Sequence, residues 1–265
     1  MDSFQRSIET IARAVADARC VCVLTGAGIS AESGLATFRS DDTTDADDPQ
    51  AALWSRFSPM DLATVRAFER DPKTVTSWYE WRFCRARDAQ PNAGHGALAE
   101  LQQQLQSNGR RFTLLTQNVD GLHQRAGSTD VVELHGTIHT WHCTKTGHAV
   151  PLTSLDFSEK PIRSPAGGLY RPSIVWFGEQ LPEDAISRAD DASATCDVFI
   201  SIGTSATVYP AAGLASVARM NGAKVFEINL DETPISREVD ITVRAKSGQA
   251  LPIIAEQVCR YMKTT

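Results

Sequence analysis

The chain has 265 residues, a formal net charge of −6, 42% hydrophobic residues and 22% charged residues, an ordinary balance for one globular unit carrying at most a small inserted module. The acidic balance argues against a broad nucleic-acid or membrane surface, no apolar run approaches membrane-spanning length, and the start of the chain lacks a signal-peptide core. Six cysteines (20, 22, 84, 143, 196 and 259) are scattered, four of them in apolar or amphipathic stretches, which fits buried thiols in a reducing compartment and makes cytoplasmic residence the expectation.

Residues 3–17 read as an amphipathic helix, with Ser3 as N-cap and Ile8, Ile11, Ala12 and Val15 on one face. The run 20–24 reads as a buried strand. It leads into Gly26-Ala27-Gly28-Ile29-Ser30-Ala31-Glu32-Ser33-Gly34, so glycines sit where a strand turns into a helix. Backbone N–H groups meet a phosphate closely only where side chains are absent and helix-end donors are free. Residues 40–50 are polar, acidic and aperiodic, and read as a loop. An aromatic-rich helix is expected over 72–88, and Asn92 caps another over 93–106. Residues 112–115 read as a strand entering Thr116-Gln117-Asn118-Val119-Asp120-Gly121-Leu122-His123. Residues 137–170 break the rhythm, being short, polar and rich in Gly, Pro, Ser and Thr, like a small inserted module. Buried strands at 197–202 and 223–229 alternate with helical patterns at 209–220 and 248–262.

This alternation predicts an α/β fold, a doubly wound parallel sheet (Rossmann-like) covered on both faces. Ligands in such sheets lie at the carboxyl ends of strands. Gly26, Gln117, Gly203 and Asn229 all fall at such ends, so one cleft is expected to collect them.

The glycine run continues to Phe38-Arg39. It is followed in order by the Gln117–His123 motif, Leu134-His135-Gly136, Arg171-Pro172 with Val175-Trp176-Phe177-Gly178-Glu179, and Gly203-Thr204-Ser205 with Val208 and Pro210. Together these resemble the sirtuin family of NAD-dependent protein deacylases, from about Cys20 to Pro252. The resemblance implies a single catalytic domain. Its Rossmann-like part covers about 1–60, 92–136 and 172–265, with a helical insert at about 61–91 and a small module at about 137–171. It also makes the 40–50 loop a lid over the cofactor.

The resemblance further implies roles. NAD would be held by Gly26, Ala27, Gly28, Ile29, Phe38, Arg39, Gly203, Thr204, Ser205, Asn229 and, on the adenine side, Ser247. The pyrophosphate would lie against the N–H groups around Gly26–Ser30. Gln117, Asn118 and Asp120 would form the nicotinamide pocket and share in catalysis, although Gln-Asn-x-Asp alone reads equally as a turn after a strand. The acyl-lysine carbonyl oxygen would attack the anomeric carbon, nicotinamide would leave, and His135 would activate a ribose hydroxyl as general base. Hydrolysis would give lysine and 2′-O-acyl-ADP-ribose. Val175, Trp176, Phe177 and Gly178 would receive the substrate backbone as an added strand.

Tyr79 and Arg82 lie at i and i+3 of the 72–88 helix and face the same side. A phenol and a guanidinium suit the terminal carboxylate of succinyl- or malonyl-lysine. The Tyr-x-x-Arg pattern resembles that of the sirtuin class that removes acidic acyl groups. Acetyl-lysine remains a second substrate in this reading.

The chain departs from the family at its structural zinc site. Of two Cys-x-x-Cys pairs, the first reads Cys143-Thr144-Lys145-Thr146 and the second Arg163-Ser164-Pro165-Ala166. A structural site needs four good donors, so no family-type zinc is expected. His139, His142, Cys143 and His148 are the one substitute set. Trp141, Leu152, Leu155 and Phe157 are expected to hold the module by packing. Two other functions compete: an ADP-ribosyltransferase on the same scaffold, and a catalytically silent NAD-binding module. The presence of His135 and of the Val175–Glu179 segment favours deacylation.

Overall fold

The computed structural model describes residues 3–36, 53 and 56–264; Phe38, Arg39 and the acidic stretch 40–50 lie outside the described residues. Among the described residues there are nine strands: β1 (Cys20–Thr25), β2 (Arg111–Thr116), β3 (Val132–Glu133), β4 (Gly136–Cys143), β5 (Ala149–Pro151), β6 (Tyr170–Ile174), β7 (Val198–Ile202), β8 (Lys224–Ile228) and β9 (Ile241–Val243). Six of them form one sheet in the order β3-β2-β1-β7-β8-β9. Every neighbouring pair in it is parallel.

The chain fills this sheet from the middle. After β1 it moves to β2 and β3 on one side, then returns to add β7, β8 and β9 on the other. The winding reverses between β1 and β7, and in open parallel sheets that reversal opens a crevice beyond the carboxyl ends.

Side-chain alternation divides the strands between two cores. Val21, Val23, Leu114 and Ile200 face one side, with Ile8, Ile11, Leu98, Leu101 and Ile254 from the helices Ser3–Asp17, Ala93–Ser107 and Ser247–Thr264. Cys22, Leu24, Leu115 and Phe199 face the other, against Ala189 and Leu214 from the helices Glu183–Thr195 and Leu214–Met220. Both faces are apolar because both are covered, which is why these strands read as continuous hydrophobic runs.

A third core lies beside the sheet. The antiparallel β5-β4-β6 sheet packs against the helices Val65–Arg70 and Pro72–Asp88. Trp141 is fully buried there with Leu152, Ile138, Tyr79, Phe83 and Trp176. The ring of Phe157 meets Trp141 edge-on, with centroids 5.3 Å apart. The helical insert and the small module therefore share one core. Helix Pro72–Asp88 starts with Asp71 accepting from the Thr74 amide and Pro72 in the first turn.

The expected strands and long helices are present, with ends shifted by one or two residues. The segment 209–220 differs: it opens with a 3-10 turn, Ala211–Gly213, before the helix Leu214–Met220. Sequence reading did not find β3, β9 or the helix Glu183–Thr195. The two strands have two and three residues, too few for a period to show. The helix buries only Ala185, Ala189 and Ser193. Among the described residues no helix is long and apolar enough to cross a membrane.

Candidate active site

Gly26, Gln117, Gly203 and Asn229 are each the first residue after a parallel strand. Their amides continue the ladder by one rung. Gln117 N donates to Thr25 O at 2.9 Å, Gly26 N to Ile202 O at 3.0 Å, Gly203 N to Ile228 O at 3.0 Å, and Asn229 N to Val243 O at 3.1 Å. This fixes four loops at one edge of the sheet.

Two of the loops cross in contact. A Cβ on Gly28 would stand 2.7 Å from Gly203 Cα, and one on Gly203 would stand 2.6 Å from Ile29 N, with Gly203 at φ +57°. Gly28 N donates to Gly203 O at 2.8 Å, and Ile29 N to Gly26 O at 3.2 Å. The amides of Gly26, Gly28 and Ile29 already have protein acceptors. Two of these glycines are needed because the loops interlock. Thr204 Oγ1 accepts from Gln117 Nε2 at 2.8 Å, and Thr204 O accepts from Asn229 Nδ2 at 2.8 Å. Ser205 shares a bond with Thr207. Ser247 is buried and donates to Glu32 Oε1 at 3.0 Å, alongside the Gly248 amide. Its hydroxyl serves the start of the last helix.

Asn118 and Asp120 converge on Ser30. Asn118 Nδ2 donates to Gly26 O and to Ser30 Oγ, both at 3.1 Å, and Ser30 Oγ donates to Asp120 Oδ2 at 2.8 Å. Asp120 Oδ1 accepts from the Leu122 amide at 2.9 Å. Behind Ser30 stands His95. Its Nδ1 accepts from the Asn92 amide, so the proton of the neutral ring is on Nε2, 3.4 Å from Ser30 Oγ. Burial lowers the His95 pKa, against the pull of Asp120 and Glu32. His123, fully buried beside His95, is pushed down to about 3 by burial and by its neighbour. Ser30, His95 and His123 were passed over as site residues. Ser30 and His123 lie inside motifs already marked, and His95 in the first turn of the helix that Asn92 caps.

His135 lies between β3 and β4 and is tied to the loop after β2. Its Nδ1 is 3.0 Å from Gln117 O. A carbonyl only accepts, so Nδ1 carries the proton of the neutral ring and Nε2 carries the lone pair. Burial lowers its pKa, opposed by the bond to Gln117. The ring is therefore a neutral base at physiological pH.

Val175–Gly178, expected to receive the substrate backbone, follows β6 directly. It is an irregular turn, with one bridge between Phe177 and Thr64. The amides of Val175, Trp176 and Phe177 are held by His135 O, Glu179 Oε2 and Ala63 O, because the turn ties the third core to the sheet. Only the backbone groups beyond these are left for an added strand. Tyr79 is fully buried, and its oxygen accepts from Trp176 Nε1 at 2.8 Å. Arg82 is half-buried and lies over the rings of Trp78 and Tyr79.

The Sir2 family model matches residues 26–210. The chain belongs to the Sir2 family. It is 47% identical over 232 residues to the NAD-dependent protein deacylase of Aquifex aeolicus, covering 87% of this chain and 92% of that one. The fold is similar to that of a Sir2 homologue solved with NAD, with a TM-score of 0.86 and 39% identity over 96% of this chain and 94% of that one. It is also similar to a Sir2 protein bound to a myristoylated histone peptide, with a TM-score of 0.77 and 30% identity over 98% and 100% of the two chains. As a Sir2 enzyme the chain is an NAD-dependent protein deacylase.

The residues fit NAD. Loops that cross without side chains, a hydroxyl-and-amide cluster around a buried carboxylate, and an imidazole with a directed lone pair all meet at the reversal of the sheet. They do not fit the structural zinc expected in Sir2 proteins. The turn that faces Cys143 runs from Ser164 to Gly167, closed by Gly167 N donating to Ser164 O at 2.9 Å, one residue later than the sequence pairing placed it. Ser164 and Thr146 are the side chains that most lower the Cys143 pKa, which puts their hydroxyls near its sulfur. One thiol, two hydroxyls and a glycine are not a tetrahedral donor set for zinc. The substitute set also separates: His139 Nε2 donates to Asp120 O and His142 Nδ1 meets Ser173 Oγ. Among the described residues no group of three or more His, Cys, Asp or Glu side chains is placed to hold a metal.

Proposed function

We propose that this Sir2 enzyme removes succinyl and malonyl groups from lysine side chains of proteins, with acetyl as a lesser substrate. NAD supplies an electrophilic anomeric carbon and a nicotinamide leaving group. In this reading the loops around Gly26, Ala27, Gly28, Ile29, Gly203, Thr204, Ser205 and Asn229 hold NAD. Gln117, Asn118 and Asp120 orient the nicotinamide ribose. His135 Nε2 takes the proton of a ribose hydroxyl. The acyl-lysine carbonyl is a weak nucleophile, so positioning supplies much of the acceleration. The myristoylated histone peptide of a relative supports an acylated protein segment as the partner.

The observation that carries the acyl preference is the surroundings of Arg82. Burial lowers its pKa, against the pull of Tyr79 and Asp120. A half-buried guanidinium near the site carboxylate favours a second anion. Arg82→Met tests it: kcat/KM for a succinyl-peptide should fall at least about tenfold more than for the matched acetyl-peptide, as expected for loss of a charge-assisted contact. Equal losses would refute the preference. Deacylation by His135→Ala equal to wild type would remove His135 from the mechanism, whereas nicotinamide release without deacylation would favour an ADP-ribosyltransferase reading.

A further inference from the structure

Arg82 and Tyr79 form one end of a stack that runs back to the small sheet. The Trp176 ring is stacked on Tyr79 at 6.1 Å with 27° between planes. The Arg171 guanidinium lies 3.3 Å from the Trp176 ring centroid. Arg171 is buried and holds Glu179 through two nitrogens, at 2.6 and 2.8 Å. Glu179 in turn accepts from the Trp176 amide at 2.8 Å. The backbone, face and plane of the indole are therefore all fixed before any ligand arrives.

The fixed indole acts on one atom of the acyl-binding pair. Its Nε1–H donates to the Tyr79 oxygen at 2.8 Å, and the Arg82 guanidinium lies 5.7 Å from the centre of the Tyr79 ring. A phenol oxygen has two acceptor sites and one proton. The indole N–H takes one acceptor site and has no lone pair to offer in return, so the phenol proton is left to donate elsewhere. Burial pushes the Tyr79 pKa up to about 12, so the proton stays in place at neutral pH. A phenylalanine at 176 would keep a ring in this core without the bond, and leave a void where the second ring stood.

We infer that Trp176 is a specificity-determining positioning residue, whose indole N–H presets Tyr79 and Arg82 as a pair for a carboxylate-bearing acyl chain. This rests on the acidic-acyl reading above. Trp176 acts through Tyr79 and does not touch the reacting atoms. A residue that only fills the core would change both acyl substrates alike.

The experiment is a double-mutant cycle read as the succinyl-to-acetyl ratio of kcat/KM, for wild type, Trp176→Phe, Tyr79→Phe and the double variant. Both peptides are assayed on one preparation, so the folded fraction cancels in the ratio. Trp176→Phe should lower the ratio about fivefold, the size of one hydrogen bond. In the Tyr79→Phe background the same change should lower it less than about twofold, since the acceptor is gone. Benzothienylalanine at position 176 keeps the bicyclic shape with sulfur in place of N–H, and should reproduce the Trp176→Phe ratio. A wild-type ratio near or below one would overturn the acidic-acyl reading and this inference with it. A wild-type preference for succinyl that both replacements leave intact, or effects that multiply fully in the double variant, would overturn the inference alone.

Discussion

His135 donates its Nδ1–H to the carbonyl oxygen of Gln117, the first residue after β2. That bond fixes the tautomer by chemistry, because the acceptor has no proton to give. It also links the base to the sheet edge through Gln117 N, which donates to Thr25 O. His135→Ala should reduce turnover at least about a hundredfold, the scale of general-base catalysis, while leaving NAD binding measurable by calorimetry. Because burial lowers the His135 pKa, the neutral base persists below the ordinary imidazole value. The acid limb of kcat/KM should therefore have an apparent pKa under about 6.5.

Gly203 and Gly28 make a stability prediction independent of any ligand. Gly203→Ala adds a Cβ 2.6 Å from Ile29 N and 2.8 Å from Gly28 C, at φ +57°. Overpacking and a left-handed backbone both oppose it, and the sum should be about 2–4 kcal/mol. Denaturant unfolding should show this loss without NAD, and NAD affinity should fall too.

Much of this was legible in the sequence. The central strands were readable because both their faces are covered, and the four strand-end residues because each motif starts where a hydrophobic run stops. The stack from Arg171 to Arg82 was not. It joins residues 89 positions apart through a core built from two inserts that look unrelated in the sequence. Nor was the capture of the Val175, Trp176 and Phe177 amides, since the spacing of residues does not show which backbone donors are already bonded.

Acid should weaken the fold through its histidines. His123 is pushed down to about 3, and an unfolded chain would titrate it near 6.5. The unfolded state then binds more protons between these values, so stability is complete above about pH 6.5 and falls as pH drops. At pH 5 His123 alone should account for on the order of 2 kcal/mol. His95 and His135, both lowered by burial, add in the same direction. Thermal melts from pH 7.5 to 5 should fall steeply in wild type and less in His123→Gln.

The third core should hold without metal. Treatment with a strong chelator should leave the melting temperature unchanged, and metal analysis should find no stoichiometric zinc. Trp141→Ala, by contrast, should cost about 3–5 kcal/mol, as expected for a fully buried large aromatic. Amide exchange in that variant should rise together in β4 and the helix Pro72–Asp88, since they share one core. A chelator-induced drop in melting temperature would contradict the assignment of Ser164 and Thr146 as partners of Cys143.

The most direct test is NAD-dependent release of nicotinamide, measured beside free-lysine product, on matched acetyl-, malonyl- and succinyl-peptides. The proposed function predicts one nicotinamide per lysine released, dependence on His135, and the highest kcat/KM for the two acidic acyl groups. Nicotinamide release without deacylation, or deacylation that is fastest on acetyl and indifferent to Arg82, would contradict it.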